Sequence, residues 1–178
     1  VLPARLLWDK GVGEFVEAAR RLKARGIRAR FALVGDRDVE NPAAVPQANI
    51  EAWRTEGVVE LWGWRNDMAQ VYRESHIVCL PSYREGFPKV LLEAAACARP
   101  LVSTDVEGCR EAVAHGRSGF LVPVRNAAAL ADALAKLIEA PALRDEFGAN
   151  ARAIVAGELS LAAVIERTLS VYREILSA

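Results

Sequence analysis

The chain has 178 residues, 52% of them apolar and 26% charged, the profile of a globular domain long enough to build a substantial core without disulfides or a structural metal. Lysine plus arginine and aspartate plus glutamate stand at 23 each, and no basic run stands out, which argues against counterion-driven binding to nucleic acid. No apolar run approaches the roughly 20 residues of a membrane-spanning helix, leaving only peripheral membrane contact open.

In chain order, Val1 to Ala4 reads as the tail of a strand, and because the first residue is valine rather than methionine the sequence is expected to be a fragment. Gly13 to Arg25 follows as a helix, with Phe15, Val16, Ala19 and Leu22 at helical spacing. Apolar runs at Arg30 to Gly35, Val58 to Gly63, His76 to Pro81, Pro100 to Thr104 and Gly119 to Pro123 read as further strands. Their β-branched content and lack of polar alternation suit a parallel sheet covered on both faces. Asp67 to Glu74, Pro88 to Cys97 and Glu107 to Ala114 are shorter helices between them, while Asp36 to Gln47, with Pro42 and Pro46, is a polar connection of neither type. After Pro123 the alternation stops, and Asn126 to Glu139, Pro141 to Ala156 and Ser160 to Leu176 form a helical tail. Asn126 is placed as an N-cap and Pro141 in the first turn of its helix. The expected fold class is therefore α/β: a doubly wound, Rossmann-like parallel sheet of about six strands with helices on both faces.

Ligands of such sheets bind outside the carboxyl ends of the strands, where helix N-termini offer free amides. The stretch Pro81-Ser82-Tyr83-Arg84-Glu85-Gly86-Phe87-Pro88-Lys89-Val90-Leu91-Leu92-Glu93 occupies that position. Gly86 allows a close backbone approach, Pro88 has no amide hydrogen to lose in the first helical turn, and the amides around Phe87 and Lys89 suit a phosphate. Glu85 and Glu93 lie at most about 12 Å apart at a helical rise of ~1.5 Å per residue, matching the two sugars that flank a diphosphate. Carboxylates accept hydrogen bonds from vicinal hydroxyls. Without further signals the same two residues read more readily as a solvated loop position and an exposed helix position. Arg5 and Lys10, at the carboxyl edge of the first strand, supply a fork of donors and a point charge for two phosphates.

These residues together resemble the retaining glycosyltransferases of the two-domain GT-B class, family 4, the glycosyl transferases group 1. The resemblance covers nearly the whole chain. It rests on Arg5-Leu6 with Lys10-Gly11, on the Glu-x7-Glu motif from Glu85 to Glu93, and on Gly108-Cys109-Arg110-Glu111-Ala112-Val113 followed by Gly116 and Gly119-Phe120-Leu121-Val122, all in the family's order. It implies that residues 1–178 are the C-terminal, nucleotide-sugar half of a GT-B fold. It also implies that the acceptor-binding N-terminal domain is absent from this chain, which alone is expected not to turn over. By the resemblance Arg5 and Lys10 contact the donor diphosphate and stabilise its departure. Glu85 binds hexose hydroxyls, the Gly86-Phe87-Pro88 backbone lies beside sugar and phosphate, Glu93 holds the ribose, and the base rests near Trp64-Arg65-Asn66. No metal or other cofactor is expected.

Two positions depart from the family's pattern without removing a functional group. Ala4 stands where glycine usually precedes the arginine, and Ala98 stands where a helix-ending turn has glycine, implying strain if that turn is left-handed. His76 replaces a common aspartate at a strand entry and receives no role.

Asp36-Arg37-Asp38 has the form of a metal motif, but Arg5 and Lys10 already balance phosphate charge, so no metal site is assigned. Gly11-Val12-Gly13 lacks the third glycine of a dinucleotide fingerprint, and no P-loop occurs. Trp53, Trp62 and Trp64 read as core or edge packing rather than a stacking platform. Cys79, Cys97 and Cys109, without ligand spacing or an export signal, read as buried small apolar residues in a reducing cytoplasm. In the last helix Leu161, Val164, Ile165, Thr168, Leu169, Tyr172 and Ile175 form one stripe.

The expected function is binding of a nucleotide diphosphate sugar, a UDP-sugar foremost, for retaining transfer of a hexose or N-acetylhexosamine to a saccharide or lipid-linked acceptor in bacterial surface polysaccharide synthesis. The expected location is the cytoplasm, at the inner face of the membrane. A non-catalytic nucleotide-binding or assembly module and a GT-B sugar-nucleotide epimerase stay open as alternatives.

Overall fold

The computed structural model describes residues 1–157 and 159–176. Six strands, β1 (Leu2–Pro3), β2 (Ala32–Val34), β3 (Glu60–Gly63), β4 (Val78–Leu80), β5 (Leu101–Thr104) and β6 (Gly119–Val122), alternate with helices. The interleaved helices are α1 (Val12–Ala24), α2 (Gln47–Glu56), α3 (Met68–Glu74), α4 (Lys89–Ala96) and α5 (Glu107–Ala112). The chain then closes with α6 (Ala127–Glu139), α7 (Pro141–Ala156) and α8 (Leu161–Leu176).

β1, β2 and β3 pair in parallel, as do β4, β5 and β6. The two triplets join where the Val1 nitrogen donates to the Ile77 carbonyl at 2.8 Å and the Cys79 N–H donates to the Val1 carbonyl at 2.9 Å. The resulting order is β3-β2-β1-β4-β5-β6, the doubly wound arrangement expected from the alternation. Winding reverses between β1 and β4, the switch point beyond whose carboxyl ends open α/β sheets receive ligands in a crevice.

Side-chain alternation along each strand feeds a core on each face. On β4, Cys79 faces the core that holds Phe15, Leu22, Trp53, Leu130 and Leu134, while its neighbours Val78 and Leu80 face the core of Tyr72, Leu91, Leu101 and Ala112. The first core lies under α1, α2 and α6, the second under α3, α4 and α5. Each fully buried leucine contributes roughly 2–5 kcal/mol against truncation to alanine, so these cores fix the strands whose ends carry the candidate site.

Two helix starts placed from sequence hold. Asn126 caps α6, its side-chain oxygen accepting from the Ala129 N–H at 2.9 Å, and Pro141 opens α7. Ala98 has a φ of 54°, so the turn after α4 is left-handed and carries the strain expected where glycine is missing.

Other boundaries move. Pro88 stands just before α4 with ψ 99°; its backbone is extended, and the helix starts at Lys89 rather than at Pro88. α5 stops at Ala112 because Val113 is extended. α2 had no counterpart in the sequence reading: only Ile50 and Trp53 of its ten residues are buried, too few to set up a periodic apolar stripe. Cys79 and Cys109 are buried as expected, but Cys97 is only half-buried at the end of α4. Among the three tryptophans set aside as packing, Trp53 is in the core and Trp64 is 67% exposed.

Candidate functional site

The carboxyl ends of β1 and β4 bring together Lys10 and Glu85, two of the residues that the sequence singled out. After β1 the chain runs through Arg5 to a single 3-10 turn, Trp8–Lys10, which Gly11 ends in the left-handed region at φ 73°. Gly11 is required there twice over: a Cβ would collide with the Pro81 carbonyl, and the positive φ disfavours any other residue. This close approach presses the turn against the loop that leaves β4.

Backbone and hydroxyl bonds stitch the two segments together. The Tyr83 N–H donates to the Asp9 carbonyl at 2.8 Å, and the Ser82 hydroxyl lies 3.0 Å from the same carbonyl. From below, the Thr104 hydroxyl donates to the Ser82 carbonyl and the Ser103 hydroxyl donates to the Leu80 carbonyl at 2.6 Å. Lys10 and Glu85 meet across this seam, with Nζ 2.7 Å from Oε1 and side chains only 22% and 13% exposed. An ion pair so shielded is felt more strongly than one in open water, and removing either partner leaves a poorly solvated charge.

Arg5, expected to converge with Lys10, instead reaches the loop after β2. Its Nη1 lies 2.5 Å from Asp38 Oδ2, with side chains 60% and 31% exposed. Asp38 therefore answers an arginine, and Arg37 donates to the Val45 carbonyl at 2.8 Å. Among the described residues no group of three or more His, Cys, Asp or Glu side chains stands together in a way that would hold a metal.

Glu93 sits on the exposed side of α4, and its Oε2 accepts from the Tyr72 hydroxyl at 3.0 Å. Burial, and then the neighbouring Glu93 carboxylate, push the Tyr72 hydroxyl well above the ordinary tyrosine range. Gly86 is exposed and no atom of the described residues crowds it, so the described fold does not demand glycine there. Phe87 is 50% exposed beside it, and Pro88 is buried. Trp64 and Arg65 follow β3, two strands away from the crevice in the sheet order. Arg65 is turned onto Asp67 at 2.6 and 2.5 Å.

Several supporting residues had escaped assignment from sequence. The Tyr83 hydroxyl donates to Glu14 Oε1 at 2.7 Å, and the Arg125 guanidinium lies 4.7 Å from the Tyr83 ring centroid. This brace links α1, the β4 loop and the β6–α6 turn. Burial, followed by the hydrogen bond to Glu14, pushes the Tyr83 hydroxyl up to about 12. Among the described residues Glu14 Oε2 is buried without a hydrogen-bond partner, which makes the Tyr83 bond the group's main compensation for burial.

Gly108 explains why the Gly-Cys-Arg-Glu stretch belongs to the site. A Cβ there would run into the carbonyls of Glu85 and Gly86. The start of α5 thus forms the floor on which the Glu85 loop rests. Sequence supplied the motif but not that contact.

The chain matches the family model described as Glycosyl transferases group 1 over residues 1–140. It is 41% identical over 148 residues to the N,N'-diacetylbacillosaminyl-diphospho-undecaprenol alpha-1,3-N-acetylgalactosaminyltransferase of Campylobacter jejuni, covering 83% of this chain and 37% of that protein. It is 27% identical over 172 residues to the capsular polysaccharide biosynthesis glycosyltransferase CapM of Staphylococcus aureus, covering 97% and 45%. The Anabaena protein HepE, solved in complex with UDP and glucose, superposes with a TM-score of 0.79 at 26% identity, over 95% of this chain and 47% of that one. The chain thus spans less than half the length of each of these relatives, and its fold is one half of a GT-B structure. By family and by fold, the chain belongs to the glycosyl transferases group 1.

Proposed function

We propose that this chain is the donor-binding domain of a retaining glycosyltransferase, taking a nucleotide diphosphate sugar in the β1–β4 crevice. The observation that carries this reading is the shielded Lys10–Glu85 pair at the point where the sheet reverses its winding, the place where open α/β sheets receive ligands. Lys10 carries positive charge suited to a diphosphate. Glu85 beside it offers oxygens to sugar hydroxyls. Arg5, with most of its five N–H donors unused by Asp38, adds a second cation at the rim.

In the reaction so proposed, the bond between the anomeric carbon and the phosphate oxygen breaks, and its electron pair leaves with the nucleoside diphosphate. The acceptor hydroxyl oxygen bonds to that carbon on the same face, and its proton passes to the departing phosphate. Lys10 and Arg5 offset the charge that grows on the leaving group, an interaction stronger in the transition state than in the ground state. Glu85 orients the sugar, Gly86, Phe87 and Pro88 border it, Glu93 takes the ribose, and Trp64 and Arg65 border the base.

HepE was solved with UDP and glucose, and the names of two relatives concern an undecaprenol diphosphate-linked sugar and capsular polysaccharide. These support a UDP-sugar as donor and transfer of a hexose or N-acetylhexosamine to a saccharide or lipid-linked acceptor in bacterial surface polysaccharide synthesis. The acceptor is then bound by a preceding domain of the whole protein. Among the described residues no helix is long and apolar enough to cross a membrane. In this reading a lipid-linked acceptor is met at the cytoplasmic face of the membrane by peripheral contact.

Saturation-transfer NMR with UDP-, GDP- and ADP-sugars, and NAD as control, tests the reading. Signal from one sugar nucleotide, lost in Glu93→Ala and Lys10→Ala, is the expected outcome. Signal that survives both substitutions contradicts the assignment of the crevice.

A further inference from the structure

Glu93 is an exposed glutamate in the second turn of a helix, a position where a side chain normally samples several rotamers. Here one carboxylate oxygen is tied from below. Tyr72, on α3, is 1% exposed, and its ring is packed in the core with Leu91, Ala94 and Ala95 of α4. Its hydroxyl donates to Glu93 Oε2 at 3.0 Å across a sequence separation of 21 residues. A phenol held in a close-packed core is an immovable donor, and the one proton it has to give goes to this carboxylate.

The neutrality of the donor matters as much as its rigidity. Glu85 is paired with a cation, Lys10, whereas Glu93 is held by an uncharged hydroxyl. Its negative charge is fixed in place without being cancelled, so its remaining lone pairs keep full strength as acceptors for charge-assisted hydrogen bonds. The residue itself is exposed.

We propose that Tyr72 is a positioning residue for donor recognition: it locks Glu93 in the rotamer that accepts the vicinal hydroxyls of the ribose and so sets the preference for ribose over deoxyribose. This rests on the reading that Glu93 receives the ribose. The bond is made before any ligand arrives, so the ordering of the glutamate is not charged against binding.

The test measures dissociation constants of UDP and 2′,3′-dideoxyuridine diphosphate for the unaltered chain, Tyr72→Phe and Glu93→Ala. Tyr72→Phe keeps the buried ring and removes only the hydroxyl. It is expected to weaken UDP by about three- to tenfold and to leave the dideoxy analogue unchanged, narrowing the ratio between them. Glu93→Ala is expected to abolish that ratio. An equal loss for both nucleotides in Tyr72→Phe, the signature of general packing damage, overturns the proposal, as does no loss for either. If Glu93→Ala abolishes the ratio and Tyr72→Phe preserves it, the ribose assignment stands and the positioning role falls. If the ratio survives Glu93→Ala, or UDP does not bind, the ribose assignment itself fails and takes the proposal with it.

Discussion

Two ion pairs flank the mouth of the crevice at nearly the same length and differ in almost everything else. Lys10–Glu85 measures 2.7 Å with side chains 22% and 13% exposed, and Arg5–Asp38 measures 2.5 Å with 60% and 31% exposed. Distance alone would rank the second pair higher. Solvent reverses the order, because an exposed pair gains roughly 0–1 kcal/mol after screening and side-chain ordering, whereas a shielded charge cannot lose its partner cheaply. The shorter pair is a side chain resting against a neighbour; the longer one is part of the seam between β1 and β4, built on Gly11, Tyr83 and Gly108.

The largest effect is expected from removing the floor of the seam. Gly108→Ala drives a methyl group into the Glu85 and Gly86 carbonyls, and a denaturant midpoint should report a loss of about 3 kcal/mol. Lys10→Met is expected to cost about 2–3 kcal/mol in the same assay, since Glu85 is then left shielded and unpaired. Tyr83→Phe removes the donor that compensates half-buried Glu14 and should cost about 1–2 kcal/mol. Arg5→Ala, at the exposed pair, should cost less than about 0.5 kcal/mol and lose even that in high salt. An Arg5→Ala penalty equal to that of Lys10→Met would break the comparison.

The Tyr83 hydroxyl sharpens it further through pH. Its pKa rises from 10.0 in the unfolded chain to about 12 in the folded one, mainly by burial. A raised value means that the folded state holds its proton longer. The contribution is complete below pH 10 and is lost as pH climbs through about 12. Tyr83→Phe should flatten that part of the pH–stability profile.

What sequence could reveal of this molecule was set by the range of the interactions involved. The six strands were legible because each is a local apolar run, and the doubly wound order followed from their alternation with helices. α2 was missed because two buried residues in ten leave no periodic trace. Lys10 and Glu85 were named from their places at strand ends, and the structure brings them into contact; Arg5 was named by the same logic and turns elsewhere, to a partner 33 residues away. Tyr72 could not be singled out, since a tyrosine on the apolar face of a short helix looks like any other core residue until α4 is placed beside it. Gly108 was visible as part of a motif, but the carbonyls it accommodates belong to another loop. Ala98 was the reverse case, a strained turn foreseen from one residue and found with φ 54°.

The most direct test of the account is calorimetric titration of UDP and of uridine into the unaltered chain and into Lys10→Ala. If the crevice holds the diphosphate through Lys10, UDP affinity should fall by about 10- to 100-fold while the uridine signal stays the same. Unchanged UDP affinity in Lys10→Ala, or an equal loss for uridine, would contradict it.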